Sequence, residues 1–232
     1  MPSEIFLIPS VLDESATEAI PHYVIACIKN CQVIFAENVR TVRRFLKSIC
    51  KEIVIDDYEW FTIHKAEAEQ ISVFKQKIKE EKNIAIISEA GCPGIADPGQ
   101  ILVKAAHEMN IRVKPLVGPS SILLALMASG LNGQQFQFTG YLPIELHERI
   151  NKIKELEEES AKKNCTQIFI ETPYRNNQII EAVLKICKPS TQFCIAAELT
   201  SGKEFIKTKS ILEWRKEKID MHKKPAIFLL MA

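Results

Sequence analysis

Five short apolar runs constrain this chain more than any other feature. Ile5–Ile8, Val33–Ala36, Ile53–Ile55, Ile84–Ser88 and Val113–Val117 read as strands, and they do not alternate apolar with polar as half-exposed strands do. Longer amphipathic segments lie between them, at Thr17–Asn30, Val39–Ser48, Lys65–Glu80 and Gly99–Met109. Strands buried on both faces and joined by helices predict an α/β layer with a largely parallel sheet. Asn110 follows the last of these helices, where a residue tolerant of positive φ is wanted.

The second half has a different rhythm. A helix at Ser120–Ser129 precedes the turn-rich "GLNGQQ". Then come a strand (Phe136–Thr139), a charged helix (Glu145–Ser160), a strand (Gln167–Ile170) and a helix (Asn176–Cys187). Strands at Phe193–Glu198 and Phe205–Thr208, with Gly202 between them, suggest a hairpin before the terminal "PAIFLLMA". This half is expected to hold a mixed sheet with helices. The domains are placed at 1–117 and 118–232.

Composition narrows the class. With 47% hydrophobic and 25% charged residues among 232, the chain can bury a proper core. A net charge of +1 gives no global field for nucleic acid or membrane, though a local patch can still act. Neither a signal peptide nor an apolar run of about 20 residues is visible, so a cytoplasmic protein without a membrane span is expected. The seven cysteines are scattered and form no Cys-x-x-Cys pair, and the five histidines are dispersed; reduced thiols and no metal site are expected.

The loops carry the chemistry. "SEAGCPGIADPG", Ser88–Gly99, packs three glycines and two prolines behind a buried strand. In an open parallel sheet, ligands bind beyond the carboxyl ends of the strands. A pre-set loop loses little entropy when it binds. The alternative is a structural turn in which Asp97 caps the next helix. "LVGPSS" (Leu116–Ser121) also leads from a strand into a helix, with Ser120 or Ser121 either capping that helix or meeting a ligand. "ETPYR" (Glu171–Arg175) is a third such loop, in the second half. Together they suggest a ligand cleft between two domains.

One helix carries charge. Arg40, Arg43, Arg44 and Lys47 fall at i, i+3, i+4 and i+7, opposite the apolar Val39, Val42, Leu46 and Ile49. Four cations without an acid among them suit a polyphosphate; a solvated helix face is the alternative. Arg149 and Arg175 are further candidates for phosphate contact.

In order along the chain, "AENVR", "SEAGCPGIADPG", "VGPSS", "SGL", "FTGYLP", Arg149, "ETPYR" and "AAELT" resemble the tetrapyrrole methylase superfamily. Within it they look like the ribosomal RNA small-subunit methyltransferase I type, which methylates a ribose 2′-hydroxyl. The resemblance spans roughly residues 5–230. It implies two α/β domains with S-adenosylmethionine in the cleft between them, a homodimer, and small-subunit ribosomal RNA as partner. It places the cofactor against Gly91, Cys92, Ile95, Ser120, Ser121, Glu171, Leu199, Pro225 and Ala226. Tyr174 joins the cationic residues as a substrate contact. A 2′-hydroxyl needs a base to take its proton. Glu37, Glu89 and Asp97 are the candidates, unranked, and each could instead be a cap or an ion-pair partner.

The chain also departs from the family pattern. Where the family has a first loop of the type Pro-Ile-Gly-Asn-Leu, this chain reads "IPSVLDESA", without glycine. "AENVR" stands for Ala-Glu-Asp-Thr-Arg, and "ELTS" for "ELTK". Two alternatives therefore stay open: a methyltransferase of a tetrapyrrole or other small molecule, and a degenerate module that binds cofactor or RNA without catalysis.

Overall fold

The computed structural model describes residues 3–63 and 67–232. The chain divides into two compact units, Met1–Ser120 and Ser121–Ala232.

The first unit is built on a five-stranded sheet of order β3-β2-β4-β1-β5, every pairing parallel. Its strands are β1 (Glu4–Ile8), β2 (Val33–Ala36), β3 (Glu59–Thr62), β4 (Ile84–Ile87) and β5 (Arg112–Pro115). β2 and β4 are buried along their whole length, as their unbroken apolar runs require. Helices α1 (Tyr23–Lys29), α2 (Val39–Ile49), α3 (Ile71–Lys79) and α4 (Gln100–Glu108) cover the sheet. Two apolar clusters result, one around Val24, Ile28, Val42 and Leu46, the other around Phe35, Phe74, Leu102 and Ala106.

Three sequence expectations give way here. Ile53–Ile55 is not a strand: Ile53 is buried, Ile55–Asp57 forms a 3-10 turn, and the strand is Glu59–Thr62. At the sheet edge that strand needs no apolar run, so "EWFT" carries no strand signature of the buried kind. The expected helix Thr17–Asn30 is split into a 3-10 turn, Thr17–Ala19, and α1. Pro21 explains the break, because it drives Ile20 into extended backbone (φ −98°, ψ 116°). The expected Lys65–Glu80 helix is a 3-10 turn (Glu67–Gln70) followed by α3, with Lys65 and Ala66 outside the described residues. Asn110 does take a positive φ, 55°.

The second unit has the mixed sheet, β6-β7-β10-β8-β9. It comprises β6 (Phe136–Tyr141), β7 (Thr166–Ile170), β8 (Gln192–Ala197), β9 (Phe205–Ser210) and β10 (Ala226–Met231). Only β6 and β7 run parallel; β8 and β9 form the hairpin. Phe169, Phe193 and Phe228 stack in successive strands, and α6 (Leu146–Lys163), α7 (Asn176–Ile186) and α8 (Ile211–Trp214) bury Leu156, Val183 and Trp214 against them. Sequence periodicity missed α8, a four-residue helix set by a capping box between Ser210 and Glu213. α5 (Ser121–Ser129) lies against β8, β9 and β10.

Candidate functional site

The order β4-β1-β5 brings three loops side by side at the carboxyl end of the first sheet. They are knitted together through the backbone. Ser10, after β1, exchanges two hydrogen bonds with Gly91, donating at 2.8 Å and accepting at 3.1 Å. Its buried hydroxyl donates to the Ser88 carbonyl at 2.8 Å. The Cys92 thiol reaches the Pro119 carbonyl at 3.6 Å. Gly118 is required by contact rather than by conformation: a Cβ there would lie 2.2 Å from Pro9 Cβ. In the crowded loop Gly91, Gly94 and Gly99 all have positive φ, and so does Ala96, at 63°. Its tip exposes Ile95, 54% accessible.

The first loop needs no glycine. No described residue from Ser3 to Ile63 takes a positive φ, so "IPSVLDESA" runs through conformations open to any L-residue.

Three carboxylates gather beside this end. Glu37, after β2, accepts from the Glu89 backbone N–H at 2.8 Å. Glu89 in turn accepts from the Thr41 hydroxyl at 3.0 Å, which ties the crowded loop to the first turn of α2. Asp97 is half-buried; burial, and then the negative charges of Glu37 and Glu89, raise its pKa to about 7. The same burial, with Asp97 beside it, raises the Cys92 thiol, so Cys92 is no thiolate nucleophile near neutrality. Thr41 was not legible as part of this cluster, because its partner lies 48 residues away. Asn38, which replaces an acid of the family pattern, caps α2 by accepting from the Arg40 and Thr41 amides at 3.0 and 3.3 Å.

The cationic stripe of α2 faces solvent at Arg40, Arg43, Arg44 and Lys47. It is not free of acids, as the helix sequence alone suggested: Arg44 pairs with Glu14, from the loop after β1, at 3.2 Å. Arg43 lies 5.1 Å over the Trp60 ring, and Lys47 donates to the Lys51 carbonyl at 3.0 Å. Phe45 joins Val42 and Leu46 on the buried side, whereas Val39 and Ile49 are only half-buried.

In the second unit, Glu171 ends β7 with its carboxylate buried. Oε1 accepts from Arg175 at 2.5 Å and from the Thr172 amide at 2.6 Å, while Oε2 is buried without a partner. Leu199 is buried between Glu198 and Thr200, both left-handed, and the Glu198 amide donates to the Pro225 carbonyl at 2.9 Å. Leu199, Pro225 and Ala226 are thus neighbours of one strand-end turn. Ser120 and Ser121 are half-buried at the start of α5. Arg149, expected at a phosphate, is instead 7% exposed and donates to the Ile144 carbonyl at 3.1 Å, bracing the start of α6. Tyr174 is 68% exposed.

Among the described residues, no group of His, Cys, Asp and Glu is arranged to hold a metal ion. Nor is any helix long and apolar enough to cross a membrane.

Comparison with known proteins bears on the same segments. The profile of the Tetrapyrrole (Corrin/Porphyrin) Methylases matches residues 16–213. The ribosomal RNA small subunit methyltransferase I of Buchnera aphidicola from Schizaphis graminum is 32% identical over 217 residues, 91% of this chain and 73% of that protein. The Vibrio cholerae protein of the same name is 34% identical over 74% of this chain and 59% of its own length. Of solved structures, the methyltransferase CobJ superposes over 100% of this chain and 94% of its own, with a TM-score of 0.67 at 15% identity. The Thermus thermophilus uroporphyrin-III C-methyltransferase complexed with S-adenyl homocysteine covers 99% and 97%, with a TM-score of 0.57 at 14% identity. These likenesses in structure speak for the fold, and the sequence matches speak for descent: the chain belongs to the tetrapyrrole (corrin/porphyrin) methylase family of methyltransferases.

Proposed function

We propose that this chain is an S-adenosylmethionine-dependent methyltransferase of small-subunit ribosomal RNA, acting on a ribose 2′-hydroxyl, and that Asp97 is its general base. One observation carries the reading: the Thr41–Glu89 hydrogen bond joins an exposed cationic helix to a cluster of three carboxylates at the sheet's carboxyl end. Cations on α2 would hold the phosphates of a polyanion, and the adjoining acids would meet its sugar. The curated relatives bear the name of a ribosomal RNA methyltransferase.

The residues present fit the proposed donor. The buried Glu171 Oε2, without a partner, offers an acceptor to an amino or hydroxyl group. Exposed Ile95 offers an apolar contact, and the positive-φ Gly91 lets backbone approach closely. Cys92, Ser120, Ser121, Leu199, Pro225 and Ala226 complete the proposed set. When bound, such a donor supplies an electrophilic methyl carbon. The protein's part is alignment and proton removal. Glu37 is held by the Glu89 amide and Glu89 by Thr41, so both fix the loop. In the proposed step Asp97 would accept the 2′-hydroxyl proton while the ribose oxygen bonds to the methyl carbon and the methyl–sulfur bond breaks, leaving a neutral thioether, and would then release the proton to solvent. A base that titrates near the working pH combines ionisation with basicity.

The reading includes a cytoplasmic homodimer. Leu123 and Met127, exposed one turn apart on α5, suit a subunit contact. The test is methyl transfer from labelled donor to small ribosomal subunits and to naked RNA, followed by nucleoside mass spectrometry. A 2′-O-methylated nucleoside is expected. Faster turnover of a tetrapyrrole precursor would move the assignment to a small molecule, and donor binding without transfer to either substrate would make the chain a binding module.

A further inference from the structure

The turn between α8 and β10, Asp220–Lys224, is held far more tightly than an exposed polar turn requires. Asn176, fully buried in α7, donates through Nδ2 to the Met221 and Lys224 carbonyls at 3.1 and 2.7 Å. Asn177 donates to Asp220 Oδ1 at 2.9 Å and accepts from the Met221 amide at 2.8 Å. The His222 amide donates to the same Asp220 oxygen at 3.0 Å, and the Lys223 amide to the Pro173 carbonyl at 2.9 Å. Lys223 sits at φ 61°, a region costly to an L-residue and usually left to glycine or asparagine. Strain kept in place by so many bonds is a reason to look for function.

The turn sets the His222 ring 6.1 Å from that of Tyr174, at 70°. Tyr174 remains 68% exposed, and Lys223 and Lys224 follow His222 directly. Of the nearby acids, Glu171 is buried against Arg175, while Asp220 is exposed and keeps its negative charge, its carboxylate held in place by Asn177 and the His222 amide. What faces solvent is an aromatic pair edged by two lysines, with the single carboxylate of Asp220 at its side.

We infer that Tyr174 and His222, with Lys223 and Lys224 beside them, form a docking surface for single-stranded RNA, in which a base stacks on Tyr174 and the lysines meet flanking phosphates. Exposed aromatic rings stack on any base, and cations beside them neutralise the backbone. A pre-ordered platform loses little entropy on binding. The inference rests on the RNA reading above.

The test is fluorescence anisotropy with a short, labelled single-stranded RNA of mixed sequence, with donor affinity and thermal midpoint measured in parallel. Tyr174→Ala is expected to weaken RNA binding roughly 5- to 100-fold, and Tyr174→Phe, which keeps the ring, by no more than about twofold. Lys223→Glu with Lys224→Glu should weaken it too and flatten the slope of log K against log salt by about 1.4. RNA binding by the wild type that all variants match would overturn this inference and leave the RNA reading standing. No RNA binding by the wild type would remove both. Loss of donor affinity and thermal midpoint in step with RNA binding would reduce the platform to a structural role and overturn it.

Discussion

The loops after β4 and β7 both leave a buried strand for a helix, and both carry a carboxylate, yet their charges are settled in opposite ways. After β7, the charge of Glu171 is answered by Arg175 at 2.5 Å from its own sequence neighbourhood, while Oε2 stays buried without a partner. After β4, Asp97 faces the carboxylates of Glu37 and Glu89, and nothing cationic figures among the influences on its pKa, which rises to about 7. A compensated carboxylate serves structure and hydrogen bonding. A carboxylate crowded by like charge becomes a base that works near neutral pH. Under the proposed function, the difference would give proton chemistry to the first unit and ligand positioning to the second.

The sharpest way to break this comparison is Asp97→Asn. Methyl transfer is expected to fall by about 10²- to 10⁴-fold, the usual contribution of a general base. Donor affinity measured by calorimetry should hold. A loss below about tenfold would return the role to Glu37 or Glu89. The converse substitution, Arg175→Met, leaves the Glu171 carboxylate buried and uncompensated. It should destabilise the protein by about 2–4 kcal/mol in denaturant titration. No loss of stability would mean that Glu171 finds another partner, and the contrast would fail.

The pH profile sharpens the same point. Rate should rise with pH through about 7 as Asp97 ionises. Stability should move the other way. A carboxyl group raised from 3.8 to about 7 binds a proton on folding between those values, so stability falls as pH climbs across that window and levels off above it. Asp97→Asn should remove both trends. A thermal midpoint that rises with pH from 5 to 7 (roughly the upper part of that window) in the wild type but not in the variant would contradict the sign.

Arg43→Glu with Arg44→Glu should flatten the salt dependence of RNA binding by about 1.4 in log–log slope, with cofactor affinity unchanged. An unaltered slope would detach the α2 stripe from RNA. The smallest effect is expected at Ser10→Ala. It removes one buried hydroxyl bond to the Ser88 carbonyl and should cost about 1 kcal/mol, since the two-way backbone bridge to Gly91 survives.

Strand and helix types were legible in the sequence wherever burial was complete. The runs at Val33–Ala36 and Ile84–Ile87 are central strands, and water excluded from both faces demands unbroken apolar side chains. β3 escaped because an edge strand is under no such demand, and α8 because four residues are too few for a period. Asn110 was readable from local backbone preference alone. Motif order by itself pointed to the family and singled out the loops where the site is proposed.

Only the tertiary structure decided what those loops do with their charges. Glu37, Glu89 and Asp97 are spread over 61 positions, and Glu14 answers Arg44 from 30 residues away. It also decided that the first loop can dispense with glycine while Gly118 cannot be replaced, since Pro9 occupies the space a side chain would need. The reason is physical. Backbone preference and burial periodicity act between near neighbours in sequence, whereas electrostatics and steric contact act between neighbours in space.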